Sequence, residues 1–174
     1  EINMGTAKIE FDFRDSKVLI TGGTSGIGEA TALAFVAAGA EVVITGRDET
    51  KAAAIIENAS NDSGGSLAFI GGDITNSAHC NDIVDRAVAQ MGGLDIVVNS
   101  AGILYHATVE GTSDEQWTQT MNVNVAGVFY ICRAAIPHLK PRGGCIVNIA
   151  SDAALTGSEH LAAYCASKGA VLQL

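Results

Sequence analysis

One segment constrains this chain more than any other. Val18-Leu19-Ile20 runs directly into Thr21-Gly22-Gly23-Thr24-Ser25-Gly26-Ile27-Gly28. A short apolar, β-branched run reads as a strand buried on both faces. The glycines after it allow a sharp turn off the strand and a close approach of the backbone to a ligand. Gly28–Ala38 is Ala-rich and stops at Gly39, which reads as a helix with a glycine C-terminal signal. Strand, glycine turn and helix together form a cradle for a diphosphate. The free N–H groups and the positive end of the helix face the anion, and Thr24 and Ser25 add hydroxyl donors. The spacing Gly22-x3-Gly26-x-Gly28 differs from the G-x-G-x-x-G dinucleotide fingerprint but shares its mechanics.

The same alternation continues along the chain. Lys17–Thr21, Glu41–Thr45, Ser66–Gly71, Leu94–Asn99 and Cys145–Ala150 read as buried strands. Glu49–Ala59 and Ser77–Met91 are amphipathic helices, and Ser113–His138 reads as one or two more, ending around Pro137 and Pro141. Another helix starts at Tyr164. Strands alternating with helices predict an α/β fold, a doubly wound, Rossmann-like parallel sheet. The full strand order of such a sheet is 3-2-1-4-5-6. Only five strands are legible, and Leu174 falls early in the helix that should lead to the sixth. Residues 1–174 are therefore expected to be a single dinucleotide-binding domain truncated at its C-terminus, with the missing strand pairing beside Cys145–Ala150. The polar stretch Asn58–Ser66 reads as a loop, not a domain boundary.

Composition narrows the partners. The formal charge is -9, and no run of Lys or Arg interrupts it, so nucleic-acid binding lacks its basic footprint. No apolar run reaches membrane-spanning length, and Glu1–Asp15 has no signal-peptide core. Cys80, Cys132, Cys145 and Cys165 show no CxxC spacing and read as free thiols of a cytoplasmic protein. His79, His106, His138 and His160 have no ligand spacing, so no metal site is expected. Trp117 is expected to pack within its helix, and Phe11 and Phe13 to dock the N-terminal segment on the sheet. Tyr105, His106, Leu155 and His160 follow the fourth and fifth strands and are candidates to line a substrate pocket.

Two further positions carry chemistry. After the second strand comes Gly46-Arg47-Asp48. An acid at the strand end would bind an adenosine 2′-hydroxyl and select NAD, whereas Arg47 could pair with a 2′-phosphate and select NADP. The spacing favours NADP, while leaving open a solvated Arg47 with Asp48 turned to the ribose. Tyr164 and Lys168 stand at i and i+4 and share a helix face. A tyrosine with a pKa of about 10 is a poor base until a nearby ammonium favours its phenolate. Tyr164 could then exchange a proton with a substrate oxygen, and Ser151, after the fifth strand, could hydrogen-bond the same oxygen.

With these motifs in order, the chain resembles the short-chain dehydrogenase/reductase family over about residues 10 to 174. Thr21–Gly28 matches its TGxxxGxG loop, and Asp73-Ile74 matches its acidic adenine contact after the third strand. Asn99-Ser100-Ala101-Gly102 matches its NNAG segment, with serine replacing the second asparagine. Asn124-Val125-Ala126-Gly127 matches the helix segment that supplies a catalytic asparagine, and Ser151, Tyr164 and Lys168 match its serine, tyrosine and lysine. The resemblance implies hydride transfer between NADP or NAD and a secondary alcohol or ketone. Gly22, Thr24, Ser25, Gly26, Ile27, Gly28, Arg47, Asp73, Ile74, Asn99, Ala101, Gly102, Tyr164 and Lys168 would bind the cofactor. Tyr164 would be the acid/base, Lys168 would lower its pKa and hold the nicotinamide ribose, and Ser151 would polarise the carbonyl. Asn124 would hold a water in a proton relay, with Asn122 as its rival. The resemblance further implies a homodimer or homotetramer built through the long helices of the second half. It places substrate-closing elements in the part expected to follow Leu174. A catalytically silent, dinucleotide-sensing binding protein is the alternative. The intact Ser, Tyr and Lys argue against it.

Overall fold

The computed structural model describes residues 11–59 and 64–174. Residues 1–10, and 60–63 in the expected Asn58–Ser66 loop, lie outside the described residues. The strands are β1 (Lys17–Thr21), β2 (Glu41–Gly46), β3 (Ser66–Gly71), β4 (Ile96–Asn99) and β5 (Cys145–Asn148). The helices are α1 (Gly26–Ala37), α2 (Glu49–Asn58), α3 (Ser77–Met91), α4 (Asp114–Met121), α5 (Val128–Leu139) and α6 (Ala162–Leu172). All strand pairs are parallel, in the order β3-β2-β1-β4-β5. This is the doubly wound arrangement expected from the alternation. The order reverses between β1 and β4, so the loops leaving these two strands diverge and open a crevice.

Alternation along the strands divides the core in two. Leu19, Val43, Ile70 and Val97 face Ile83, Val84 and Ala87 of α3 and Ile131 and Ala135 of α5. Their neighbours Val18, Ile20, Val42, Ile44 and Val98 face Ala32 and Val36 of α1 and Ala52 of α2. A strand buried on both faces must be apolar at every position, which is why β1 and β2 read as continuous hydrophobic runs.

Several boundaries differ from the sequence reading. The fourth strand begins at Ile96 instead of Leu94, because Gly92 and Gly93 (φ +72° and +159°) reverse the chain out of α3 just upstream. The fifth stops at Asn148 after one further ladder bond, from the Ile149 N–H to the Asn99 carbonyl. α5 runs through Pro137 to Leu139, and Pro141 sits in a 3₁₀ turn, Lys140–Arg142. The Ser113–His138 region is two helices joined by a π-helical turn, Asn122–Gly127. Trp117 does not pack into the core. It is 45% exposed on α4, whose one buried residue is Thr120. Phe13 packs edge-on against Phe35 with ring centroids 4.7 Å apart, but among the described residues Phe11 stacks only on Phe13 and is 71% exposed.

The edge of the sheet where the strands begin is tied together by Asp95. Its N–H donates to the Lys17 carbonyl, its carbonyl accepts the Cys145 N–H, and its Oδ2 accepts the Lys17 N–H, each at 2.9 Å. Arg142 Nε donates to Oδ1 at 2.5 Å. Lys17 Nζ in turn pairs with Glu41 at the start of β2. Burial raises the Asp95 carboxyl, but the Arg142 and Lys17 hydrogen bonds outweigh it and hold the group below its ordinary value. The stabilisation is therefore full above the unfolded carboxylate value of about 4 and is lost as pH falls through the lower folded value. Asp95→Ala should cost about 1–3 kcal/mol at neutral pH, because it orphans the Lys17 N–H. Arg142→Ala, at the exposed end of the pair, should cost under about 1 kcal/mol. Denaturant midpoints at pH 7 and pH 3 check both, and the difference between Asp95→Ala and wild type should shrink at the lower pH.

Candidate functional site

The crevice at the switch point is lined by the ends of four strands. Gly22 and Thr24 come from the loop after β1, Thr45 to Arg47 from the end of β2, Gly72 to Ile74 from the end of β3, and Ala101 to Ile103 from the end of β4. Val123 of the π-helical turn closes one side. Of the residues expected around a dinucleotide, Gly22, Thr24, Arg47, Asp73, Ile74, Ala101 and Gly102 are in this wall. Ser25, Gly26, Ile27, Gly28 and Asn99 are not. Ser25, Gly26 and Ile27 are exposed where α1 begins, and Gly28 and Asn99 are buried beneath the cleft.

Two glycine contacts build the floor. Gly22 has φ +67°, and a Cβ there would lie 2.6 Å from Ala101 Cα, so the loops after β1 and β4 meet backbone to backbone. Ala101 N–H also donates to Thr21 Oγ1 at 3.3 Å. A Cβ on Gly28 would sit 2.3 Å from the Gly22 carbonyl oxygen, so α1 starts against the turn that precedes it. Gly127 serves the opposite wall. A Cβ there would be 2.7 Å from Ile74 Cδ1, so this glycine lets the π-helical turn press on the loop after β3.

The polar groups of the wall have distinct states. Asp48 is committed elsewhere: its Oδ1 accepts the Lys51 N–H at 3.0 Å and caps α2. Arg47, exposed and in the wall, makes no hydrogen bond or ion pair among the described residues. Asp73 Oδ1 accepts both the N–H and the hydroxyl of Thr75 at 2.9 Å. The Thr75 N–H is the main cause holding Asp73 below the ordinary carboxylate range, with Arg47 and His79 adding to it against burial. Thr45 Oγ1 is fully buried and has no partner among the described residues. An uncommitted guanidinium, a carboxylate held ionised and an unpaired hydroxyl beside a glycine turn fit a phosphorylated ribonucleoside ligand of dinucleotide type. Sequence reasoning missed Thr45, Gly46, Gly72, Ile103 and Val123. The Gly46-Arg47-Asp48 stretch came nearest, with Gly46 beside Arg47, and the structure sets Thr45 opposite Thr21 in register.

Beyond Gly102 the wall continues into a second cluster. Lys168 is 6% exposed, and its Nζ donates to the Ile149 carbonyl at 2.6 Å, tying α6 to the chain leaving β5. A Cβ on Gly102 would be 3.7 Å from Lys168 Nζ and 3.5 Å from Asn124 Oδ1, so these three residues converge. Tyr164 is half-buried, with the Lys168 ammonium 5.7 Å from its ring centroid. Burial pushes the Lys168 ammonium below its ordinary pKa. Ser151 follows β5 and caps the short 3₁₀ turn Asp152–Ala154. Its hydroxyl donates to Asp152 Oδ1 at 3.0 Å and accepts the Ala153 N–H at 3.2 Å. No hydrogen bond joins Ser151 to Tyr164.

Asn124 sits in the π-helical turn with no exposed surface. Its Oδ1 accepts the Ile103 N–H at 2.8 Å, and its Nδ2 donates to the Ile103 carbonyl at 2.9 Å and to Ser167 Oγ at 3.0 Å. Both amide hydrogens are thus spent on protein. Its Oδ1 keeps a second lone pair, and the residue lies in a turn whose widened hydrogen bonding is common at functional sites. Asn122 has no comparable contact among the described residues. Tyr105, His106, Leu155 and His160 lie on the loops after β4 and β5, which meet at an Ala107–Leu161 bridge, but none lines the crevice. Of the thiols, Cys80 is pushed up to about 11 by burial and Cys132 is also raised, so neither is a reactive nucleophile.

The floor makes a testable contrast. Gly28→Ala should cost about 1–3 kcal/mol, because its methyl meets backbone that cannot give way. Gly26 has φ +56° but open space around its Cα, so Gly26→Asn should cost under about 1 kcal/mol, asparagine being tolerant of the left-handed region. Thermal melts of the two variants compare them directly.

Comparison with known proteins agrees with this geometry. A family model described as short chain dehydrogenase matches residues 16–174. An uncharacterized oxidoreductase of Thermotoga maritima is 41% identical over 164 residues, 94% of this chain and 64% of that protein. A 3beta-hydroxysteroid dehydrogenase of Mediterraneibacter gnavus is 38% identical over 160 residues, 91% of this chain and 58% of its own length. The chain therefore spans about three-fifths of these curated relatives. A solved short-chain dehydrogenase/reductase from Brucella melitensis, described as glucose/ribitol dehydrogenase, superposes with a TM-score of 0.87 at 35% identity, covering 93% of this chain and 67% of that one. With strand order, glycine turn and Tyr164–Lys168 helix all in agreement, the chain belongs to the short-chain dehydrogenase family.

Proposed function

We propose that the protein is an NAD(P)-dependent oxidoreductase that interconverts a secondary alcohol and a ketone. The observation that carries this reading is the convergence of Lys168, Asn124 and Gly102 at the end of the glycine-floored crevice, with Tyr164 on the same helix as Lys168. A nicotinamide dinucleotide bound in the crevice would supply or accept the hydride. Gly22, Thr24, Asp73, Ala101 and Gly102 are the wall residues that would hold it.

The chain's own residues handle the proton. Tyr164 donates its phenolic proton to the substrate oxygen during reduction and takes it back during oxidation. Lys168 is held by the Ile149 carbonyl, with its ammonium 5.7 Å from the Tyr164 ring centroid. Its lowered pKa lets it pass a proton more readily than a surface lysine would. Ser151 orients the substrate oxygen, for which its hydroxyl turns away from Asp152. Relatives named for 3beta-hydroxysteroid, D-threitol and cyclopentanol dehydrogenation support a secondary hydroxyl as the reacting group. Exposed Phe129 and Ile136 on α5 support a second copy as the macromolecular partner.

Arg47 supports NADP over NAD, because it stands in the wall uncommitted while Asp48 caps α2. Arg47→Ala should weaken NADPH binding by about 1.5–3 kcal/mol, the worth of hydrogen bonds to a charged group, and leave NADH nearly unchanged. Titration of both cofactors by fluorescence decides this, and equal losses would assign Arg47 no part in the choice. Tyr164→Phe should cost several orders of magnitude in turnover while cofactor affinity stays within about twofold. Nicotinamide absorbance against a panel of cyclic ketones, sugars and steroids is the assay, in the protein at its natural length. Cofactor binding with no turnover on any of them would favour the sensing alternative.

A further inference from the structure

We propose that Ser167 is a positioning residue, whose hydroxyl locks the Asn124 amide to the helix carrying Tyr164 and Lys168. It rests on the oxidoreductase reading above. Ser167 has no exposed surface. Its Oγ donates to the Tyr164 carbonyl at 2.8 Å and accepts an Asn124 Nδ2 hydrogen at 3.0 Å. Asn124 in turn holds both the N–H and the carbonyl of Ile103. Three segments remote in sequence are thereby joined in one buried chain of hydrogen bonds: the loop after β4, the π-helical turn and α6.

The arithmetic of donors makes Ser167 hard to replace. A hydroxyl has one hydrogen and two lone pairs, and here the hydrogen goes to its own helix while a lone pair serves Asn124. Remove the oxygen and an Asn124 amide hydrogen loses its acceptor inside the protein, where both residues have no exposed surface. An amide with one hydrogen unpaired is held less firmly, and what it loosens is Ile103 and with it Gly102, which borders Lys168 Nζ. A residue that touches neither proton nor cofactor thus sets the spacing between the cofactor wall and the Tyr164–Lys168 pair. Small displacements there are amplified, because misplacing a reacting group by about 1 Å can cost about a hundredfold in rate.

The test compares Ser167→Ala, Ser167→Cys and Ser167→Thr in the protein at its natural length. Ala removes the acceptor, Cys fills the volume with a weak sulfur acceptor, and Thr keeps the hydroxyl. In Ser167→Ala kcat should fall about ten- to a hundredfold with KM for NADPH within about twofold, and Ser167→Thr should recover most of the loss. Hydrogen exchange at the Ile103 amide, which does not depend on any activity, should speed up at least about tenfold in Ser167→Ala and less in Ser167→Cys. If Ser167→Ala does not fold, Ser167→Cys carries both readouts. Wild-type kcat and unchanged Ile103 exchange in either variant would overturn the proposal. So would a parallel rise in KM and fall in melting temperature that Ser167→Thr fails to rescue, which marks general loosening. A wild-type protein that turns over no carbonyl would sink the oxidoreductase reading alone, since Ile103 exchange would still judge the lock.

Discussion

The rest of this structure depends on one backbone approach. A Cβ on Gly28 would come within 2.3 Å of the Gly22 carbonyl oxygen, and Gly22 itself lies against Ala101. Parallel strands all end at one edge of the sheet, so their loops compete for the same space. The missing side chains let the β1 loop, the start of α1 and the β4 loop share it. Without that economy the crevice between β1 and β4 would be filled by its own walls. A ligand that must meet the end of a helix would then meet a side chain.

From this floor the site grows outward by anchoring main chain, not by adding side chains. Lys168 is held by a carbonyl, Asn124 holds an N–H and a carbonyl, and Thr21 holds an N–H. Such bonds make each polar side chain answer for the position of a whole segment. Asp95 does the same at the opposite edge of the sheet, where it joins the starts of β1, β4 and β5. The sheet is thus clamped at both edges by buried or half-buried polar groups, with the two apolar cores between.

Much of the fold was legible because doubly buried strands leave unbroken apolar runs, and glycines mark where the helices start and stop. The site was legible in part. Tyr164 and Lys168 share a helix face by spacing, and Gly22 needs its positive φ. The π-helical turn was not legible, because one extra residue in a turn barely disturbs the apolar pattern from Ser113 to His138. For the same reason nothing in the sequence foretold that the Asn124 amide is spent on Ile103 and Ser167. Trp117 and Phe11 misled because large apolar residues are read as core. Here Trp117 on α4 and Phe11 are both exposed among the described residues. Thr45 escaped notice because its buried hydroxyl matters only once Arg47 and Asp73 are known to stand beside it.

The π-helical turn also fixes a phase. α4 and α5 meet through it without a loop, so the direction in which α5 presents Ile131, Ala135 and Leu139 is inherited from the winding of residues 122–127. An α-helix turns by about 100° per residue. Dropping one residue from that turn would swing the α5 apolar face away from the sheet and carry Asn124 out of reach of Ile103. The local winding that aims one amide is therefore the same that aims a whole helix. Insertions and deletions here are barred by the core as firmly as by the chemistry.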